Sequence, residues 1–372
     1  MTFKEFLGNA RAVDSLRRLL AAERLPQALL LAGPRGVGKF TLATLLARAA
    51  NCAQAPGEIC GRCQSCRAMA ALDDLPALVE AARRERGSAS PEDVPLILRP
   101  HACATVLVPD ADYIRVSQMR YVVREAYALP TAGRRNFFIF DQAERLRHDF
   151  ADALLKVLEE PPAQTTLILV TDAPFELRAT IRSRCVPVWF APLERDEIAS
   201  YLAEHRPELK KADRDLAASA AAGSLGTALT LDIARYRELR ARALEVLRSA
   251  LTSEASPQHL FEATAALAGK AARREESDPE SEGRKNFEFS LDILYGLLTD
   301  SVYLKVDVPD AGLRHPDLRA ELRPLSQKVT WSGLSQAVER LDRIWKRQRR
   351  NINRQLALDA WAVAATVPVS DR

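Results

Sequence analysis

Residues 33–41, Gly-Pro-Arg-Gly-Val-Gly-Lys-Phe-Thr, carry the side chains with the clearest chemistry in this 372-residue chain. In a phosphate-binding loop of the form G-x-x-x-x-G-K-[ST], backbone N–H groups wrap the phosphates, the lysine reaches the outer ones, and the last hydroxyl holds Mg²⁺. Gly33, Gly36, Gly38 and Lys39 fit, but Phe40 stands where the hydroxyl belongs. Thr41 comes one residue late, which on a helix is about 100° of rotation. The pattern predicts a nucleotide cradle, formed by Gly33, Gly36, Gly38, Lys39 and Thr41, that is poorly equipped for hydrolysis.

Cys52, Cys60, Cys63 and Cys66 follow at the spacing C-x7-C-x2-C-x2-C. Four thiolates satisfy the tetrahedral preference of Zn²⁺, and such a closed site leaves no position for water, so the metal would be structural. A zinc deaminase would need an H-x-E companion, which the sequence lacks. Cys103 and Cys185 stand apart and read as buried thiols.

These residues need elements to position them. An apolar run, 28–32, precedes the loop, and Leu42, Leu45, Leu46 and Ala49 follow it with helical spacing. Residues 136–141, Asn-Phe-Phe-Ile-Phe-Asp, read as a second strand ending in Asp141, where a phosphate-loop fold places the acid that holds Mg²⁺ through water. A helix from Glu144 to Glu160 is expected, with Glu144 as its N-terminal charge, the stripe Leu146, Phe150, Leu154, Leu155 and Leu158, and a stop at Pro161-Pro162. Residues 165–171 read as a third strand, ending in the Thr171 hydroxyl, which would sense a terminal phosphate. Ile181–Cys185 then leads into a strand over 186–190. Strands alternating with helices predict a parallel sheet covered on both faces.

Ser117 reads as a helix cap and 82–91 as a flexible insertion. Beyond Leu193 the chain reads as a small helical segment to about Ile233. A helical remainder follows, interrupted by the polar stretch 273–286, and the basic run 346–350 reads as a solvated helix face. With 53 basic and 49 acidic side chains the net charge is +4, which argues against a polybasic nucleic-acid arm. A zinc-knuckle nucleic-acid binder is disfavoured on the same ground, and no aromatic-basic interleaving surrounds Cys60–Cys66. No apolar run approaches the ~20 residues of a membrane span, and a cytoplasmic protein with reduced thiols is the expectation.

Gly33–Thr41, the four cysteines, Phe140-Asp141-Gln142-Ala143-Glu144, the run Leu154–Pro162 ending Glu-Glu-Pro-Pro, Ser183-Arg184-Cys185, and Asn351–Leu358 together resemble the bacterial clamp-loader subunits of DNA polymerase III. That resemblance covers most of the chain. It implies an AAA+ domain over 1–191 with a zinc module at 52–66, a helical lid over 192–233, and a helical collar over 234–372. Its implied partners are gamma/tau and delta subunits, the sliding clamp and primed DNA.

The family contains ATP-hydrolysing gamma/tau subunits and a delta-prime subunit that usually does not turn ATP over. Phe40 replaces the metal hydroxyl, Gln142 the acid that polarises water, and Thr227 the lid arginine. These departures point to the delta-prime type, with ATP or ADP binding left open; an active gamma/tau-like ATPase that recruits Thr41 is the alternative. Arg184 matches the family's arginine finger, which acts on a neighbouring subunit's ATP. Arg182 reads as a structural partner for a helix carboxylate.

Overall fold

In the computed structural model, which describes residues 1–146, 151–252, 256–268, 279–307, 309, 312–347 and 352–366, the run Ala28–Ala32 is strand β1, buried along its length. It belongs to a sheet completed by β2 (Ile97–His101), β3 (Ala104–Leu107), β4 (Asn136–Phe140), β5 (Thr165–Thr171) and β6 (Val186–Trp189). The strand order is β2-β3-β4-β5-β1-β6. Only the β2–β3 pair is antiparallel.

Because successive strand residues point to opposite faces, each apolar run feeds two cores. Leu29, Leu31, Phe137, Ile139, Ile168 and Val170 join one with α1 (Ala10–Ala21) and α2 (Lys39–Ala50). Leu30, Phe138, Phe140, Leu167 and Leu169 join the other. Its helical side comes from Met119 and Val122 of α5 (Val116–Ala126), Leu154, Val157 and Leu158 of α6 (Ala151–Glu159), and Ile181 of α7 (Ala179–Arg182). Ala43, Leu45 and Leu46 of α2 are fully buried, so α2 is held by tertiary packing more than by helix propensity.

The segment 82–91 is only partly a loop: residues 82–86 close a helix, and 87–91 continue as turn and irregular backbone. After the short α3 (Gln64–Met69) and a 3₁₀ turn at Ala70–Asp74, α4 runs Leu75–Arg86. Asp74 caps it by accepting from the Ala77 N–H at 3.1 Å. Leu75, Leu78, Val79 and Ala82 pack on the first core, a helical spacing that the neighbouring Arg, Ser and Pro residues mask in the sequence. Ser117 is not a cap. The α5 helix opens one residue earlier, the Gln118 side chain accepts from the Arg115 N–H at 2.7 Å, and Ser117 Oγ donates to the Pro91 carbonyl.

The chain divides into two compact units, Met1–Ser200 with Gly223–Thr227, and Tyr201–Ala222 with Ala228–Arg372. Helices α8 (Arg195–His205), α9 (Lys211–Ala220) and α10 (Leu225–Thr230) occupy the region where the division falls. The second unit continues with α11 (Ile233–Thr252), α12 (Pro257–Leu267), α13 (Pro279–Lys305), α14 (Arg319–Lys328), α15 (Trp331–Arg347) and α16 (Arg354–Thr366). Tyr236, Phe287, Leu294, Leu297 and Trp361 centre its core.

A buried polar relay crosses that core. The Tyr236 hydroxyl meets His315 Nε2 at 2.7 Å, and His315 Nδ1 meets Asp300 Oδ2 at 2.7 Å. Asp300 also accepts the backbone N–H groups of Arg314 and His315, so each buried polar atom of the relay has a partner, as interiors require. Lys346 and Arg347 are exposed, as read from the sequence. Phe150, residues 273–278 and residues 348–351 lie outside the described residues. Among the described residues no helix is long and apolar enough to cross a membrane.

Candidate nucleotide and metal sites

Strand order decides which chain ends meet. Strands β4, β5 and β1 are consecutive and parallel, so Asp141, Thr171 and Gly33 emerge together at the carboxyl ends of the strands, where open α/β sheets bind ligands. Gly33 has φ 150°, and a Cβ there would lie 2.4 Å from the Phe190 carbonyl oxygen. Only glycine permits that approach. Gly36 and Gly38 also have positive φ, 75° and 91°, and the helix begins directly after Gly38.

The loop lysine does not point outward. Lys39 is 6% exposed, and its Nζ donates to the carbonyls of Gly33 (2.7 Å) and Pro34. Burial lowers its pKa, opposed by the charges of Asp172, Asp141 and Glu144. The ammonium thus stitches the loop to itself. Phe40 is half-buried and packs against the first core, while the Thr41 carbonyl accepts from the Thr44 hydroxyl. Gly36 is closely covered by Ser224, and its carbonyl accepts from the Gly226 N–H at 3.0 Å. Thr227 lies in the same covering segment, its hydroxyl 2.7 Å from Ser224 Oγ.

Asp141 follows β4, and burial raises its pKa. Gln142, in the left-handed region at φ 53°, donates to Asp141 Oδ2 at 3.4 Å. Glu144 is not the N-terminal charge of a helix. It sits in a 3₁₀ turn, Ala143–Arg145, and accepts from the Thr171 hydroxyl at 2.7 Å. Burial also raises the Glu144 pKa, partly offset by that bond. Thr171 additionally accepts from the Ala173 N–H. The Glu144–Thr171 pair escaped the sequence reading. Its only signal was a carboxylate three residues past Asp141.

Ser183 and Arg184 are exposed beside the buried Cys185. The Arg184 guanidinium donates to the Thr180 carbonyl at 2.9 Å and pairs with Glu159 Oε1 at 2.6 Å. The sequence expected a helix carboxylate at Arg182; among the described residues the one at the end of α6, Glu159, pairs with Arg184. Arg182 instead donates to the carbonyls of Pro174 and Leu177 and lies 5.2 Å over the Phe175 ring. Its tie to its own loop follows from α7 ending there.

The four cysteines converge, with all sulfurs within 4.8 Å of one another. Cys52 leaves the end of α2, and Cys63 caps α3 by accepting from the Cys66 N–H at 3.4 Å. Further N–H groups reach sulfur from Ala55 to Cys52 and from Cys63 to Cys60, the outer hydrogen bonds that fix ligands around a metal. Four metal–sulfur bonds of about 2.3 Å in a tetrahedron separate sulfurs by about 3.8 Å; Cys60 and Cys66 are 3.9 Å apart. Burial pushes the Cys63 thiol up, but hydrogen bonds from the backbone of Cys66 and Ala53 outweigh it and bring it to about 6. Burial, reinforced by the neighbouring thiols, pushes Cys66 up to about 12. Cys63 therefore ionises readily while Cys66 resists adding like charge, a pair that a divalent cation would bring to full ionisation. The donor set fits a metal ion. Cys103 and Cys185 are buried singly, and burial pushes Cys185 up to about 12.

The family model described as DNA polymerase III, delta subunit, matches residues 8–194, and the one described as its C terminal matches residues 284–365. The DNA polymerase III subunit tau/gamma of Haemophilus influenzae is 29% identical over 236 residues, covering 62% of this chain and 30% of that protein. Subunit tau of Escherichia coli is 32% identical over 237 residues, covering 62% and 32%. The chain thus matches about a third of the length of these relatives. Among solved structures, a DNA polymerase III gamma subunit-related protein from Thermotoga maritima aligns at a TM-score of 0.37 with 18% identity, over 95% of this chain and 98% of that one.

Proposed function

The chain belongs to the DNA polymerase III delta-subunit family of clamp-loader proteins, and on that premise we propose that it is a delta-prime-type subunit that does not hydrolyse ATP but acts on a neighbour's. The observation that carries this reading is Phe40, packed against the first core where a hydrolytic loop places its metal-holding hydroxyl. Beside it, Gln142 cannot take a proton from water, and the Thr171 hydroxyl donates to Glu144. Gly33, Gly36, Gly38, Lys39, Thr41, Asp141 and Thr171 are then a relic nucleotide site.

Arg184 is the residue we assign to chemistry. Exposed at the end of α7, it would place a fixed positive charge against the phosphoryl group transferred in an adjacent gamma/tau subunit, an effect worth about 10³ to 10⁵ in rate where such fingers act in trans. Cys52, Cys60, Cys63 and Cys66 would hold a structural Zn²⁺ that pins α3 to the end of α2. Residues 1–191 serve as the AAA+ domain, 192–233 as the lid, and 234–372 as the collar that joins delta and gamma/tau subunits in loading the sliding clamp onto primed DNA.

The test is magnesium-dependent ATP turnover by the purified chain, alone and reconstituted with gamma/tau and delta. The reading expects none from the chain alone and clamp- and DNA-stimulated turnover in the assembly. Turnover by the lone chain at the level of a gamma/tau subunit overturns it.

A further inference from the structure

We propose that Glu159 is the positioning residue for Arg184, an inference that rests on the finger reading above. Glu159 closes α6, and the Pro161-Pro162 pair ends the helix there. Its Oε1 lies 2.6 Å from an Arg184 terminal nitrogen, while the other terminal nitrogen donates to the Thr180 carbonyl at 2.9 Å. Two anchors on different segments, the end of α6 and the turn of α7, thereby define the guanidinium plane.

The placement of the acid is locally unfavourable. A carboxylate in the last turn of a helix faces the negative end of its macrodipole, and Glu160 adds a second acid beside it. Arg184 brings the compensating cation. The pair contributes little to stability, since its side chains are 35% and 48% exposed and exposed pairs have small net effect. Its effect is orientation. A free arginine samples many rotamers, and each terminal nitrogen of the guanidinium carries a second N–H besides the one bound here. Glu159 and Thr180 thus each engage one terminal nitrogen of the fork and leave its remaining N–H groups to meet an anion. Arg182 differs, because its terminal nitrogen is turned back to Pro174 and Leu177.

The experiment measures clamp- and DNA-stimulated ATPase of the reconstituted loader carrying wild type, Glu159→Ala, Glu159→Gln, Arg184→Ala, and the Glu159→Ala/Arg184→Ala pair, with thermal melts of each free chain. Misplacing a catalytic group by about 1 Å can cost about 100-fold; loss of one of two anchors is expected to lower kcat about tenfold, with KM for ATP unchanged. Glu159→Gln keeps an acceptor oxygen and should recover most of that loss, and the double variant should be no slower than Arg184→Ala. If Glu159→Ala matches wild type while Arg184→Ala is slow, the positioning role falls and the finger survives. If the double variant is slower than Arg184→Ala, Glu159 acts independently and the inference is wrong. If Arg184→Ala itself is unimpaired, the finger reading fails first and this inference with it.

Discussion

At the residue scale the account turns on where two cations point. Lys39 satisfies the Gly33 and Pro34 carbonyls and faces the Asp141, Glu144 and Asp172 carboxylates. Lys39→Ala leaves those groups without their cation and should destabilise the chain by about 1–3 kcal/mol, measured by denaturant unfolding, while leaving ATPase of the assembled loader at the wild-type rate. A lysine that still served hydrolysis would show the reverse. The acids give a second prediction. Burial raises the Asp141 and Glu144 carboxyls, so each holds its proton to higher pH when folded than when unfolded. Their contribution to stability is present below the unfolded values, near 4, and is lost as pH rises through the raised folded values. Asp141→Asn should therefore raise the melting temperature at pH 7, with the gain shrinking as pH falls toward 4; a gain that grows on acidification contradicts the burial argument. The residue types and their spacing were legible in the sequence, but the direction of Lys39 was not. A lysine at the start of a helix reaches either phosphate or its own loop, and the surrounding carbonyls and acids that decide between them come from three different strands' ends.

At the element scale the alternating strands were plain to read, because odd and even residues of 28–32, 137–140 and 167–170 are apolar alike, the mark of a strand buried on both faces. The exchange of partners between Arg182 and Arg184 was not. Which arginine meets the end of α6 depends on where the short α7 helix stops, and one residue of difference turns a side chain by about 100°. The helical start of the insertion, up to Arg86, was missed for another reason. Leu72, Leu75, Leu78, Val79 and Ala82 are helically spaced, yet the charged and small residues of 83–91 dominate the local composition. Since α4 covers the core beside Leu72, Leu78→Asp should lower the melting temperature by placing a charge against apolar neighbours, whereas a solvated loop would tolerate it. The cysteine module lies between α2 and α3. One zinc per chain is expected by elemental analysis, and a chelator should lower the melting temperature without affecting a Cys60→Ser variant already lacking metal. A purified, metal-free chain with an unchanged melt would contradict the structural assignment.

For the whole molecule, the sequence expects three parts, 1–191, 192–233 and 234–372, while the structure divides into a sheet-bearing unit and a helical unit, with residues 192–233 shared between them. The buried Tyr236–His315–Asp300 relay was not legible in the sequence, since its members are 64 and 79 residues apart from Tyr236 in the chain. The central claim is that a subunit without its own hydrolytic machinery supplies charge to the machinery next door. It is tested most directly by measuring clamp- and DNA-stimulated ATPase of the reconstituted loader with wild-type, Lys39→Ala and Arg184→Ala chains side by side. The account predicts wild-type turnover for Lys39→Ala and loss of the stimulated rate at the served site for Arg184→Ala. Loss with Lys39→Ala and full activity with Arg184→Ala would contradict it.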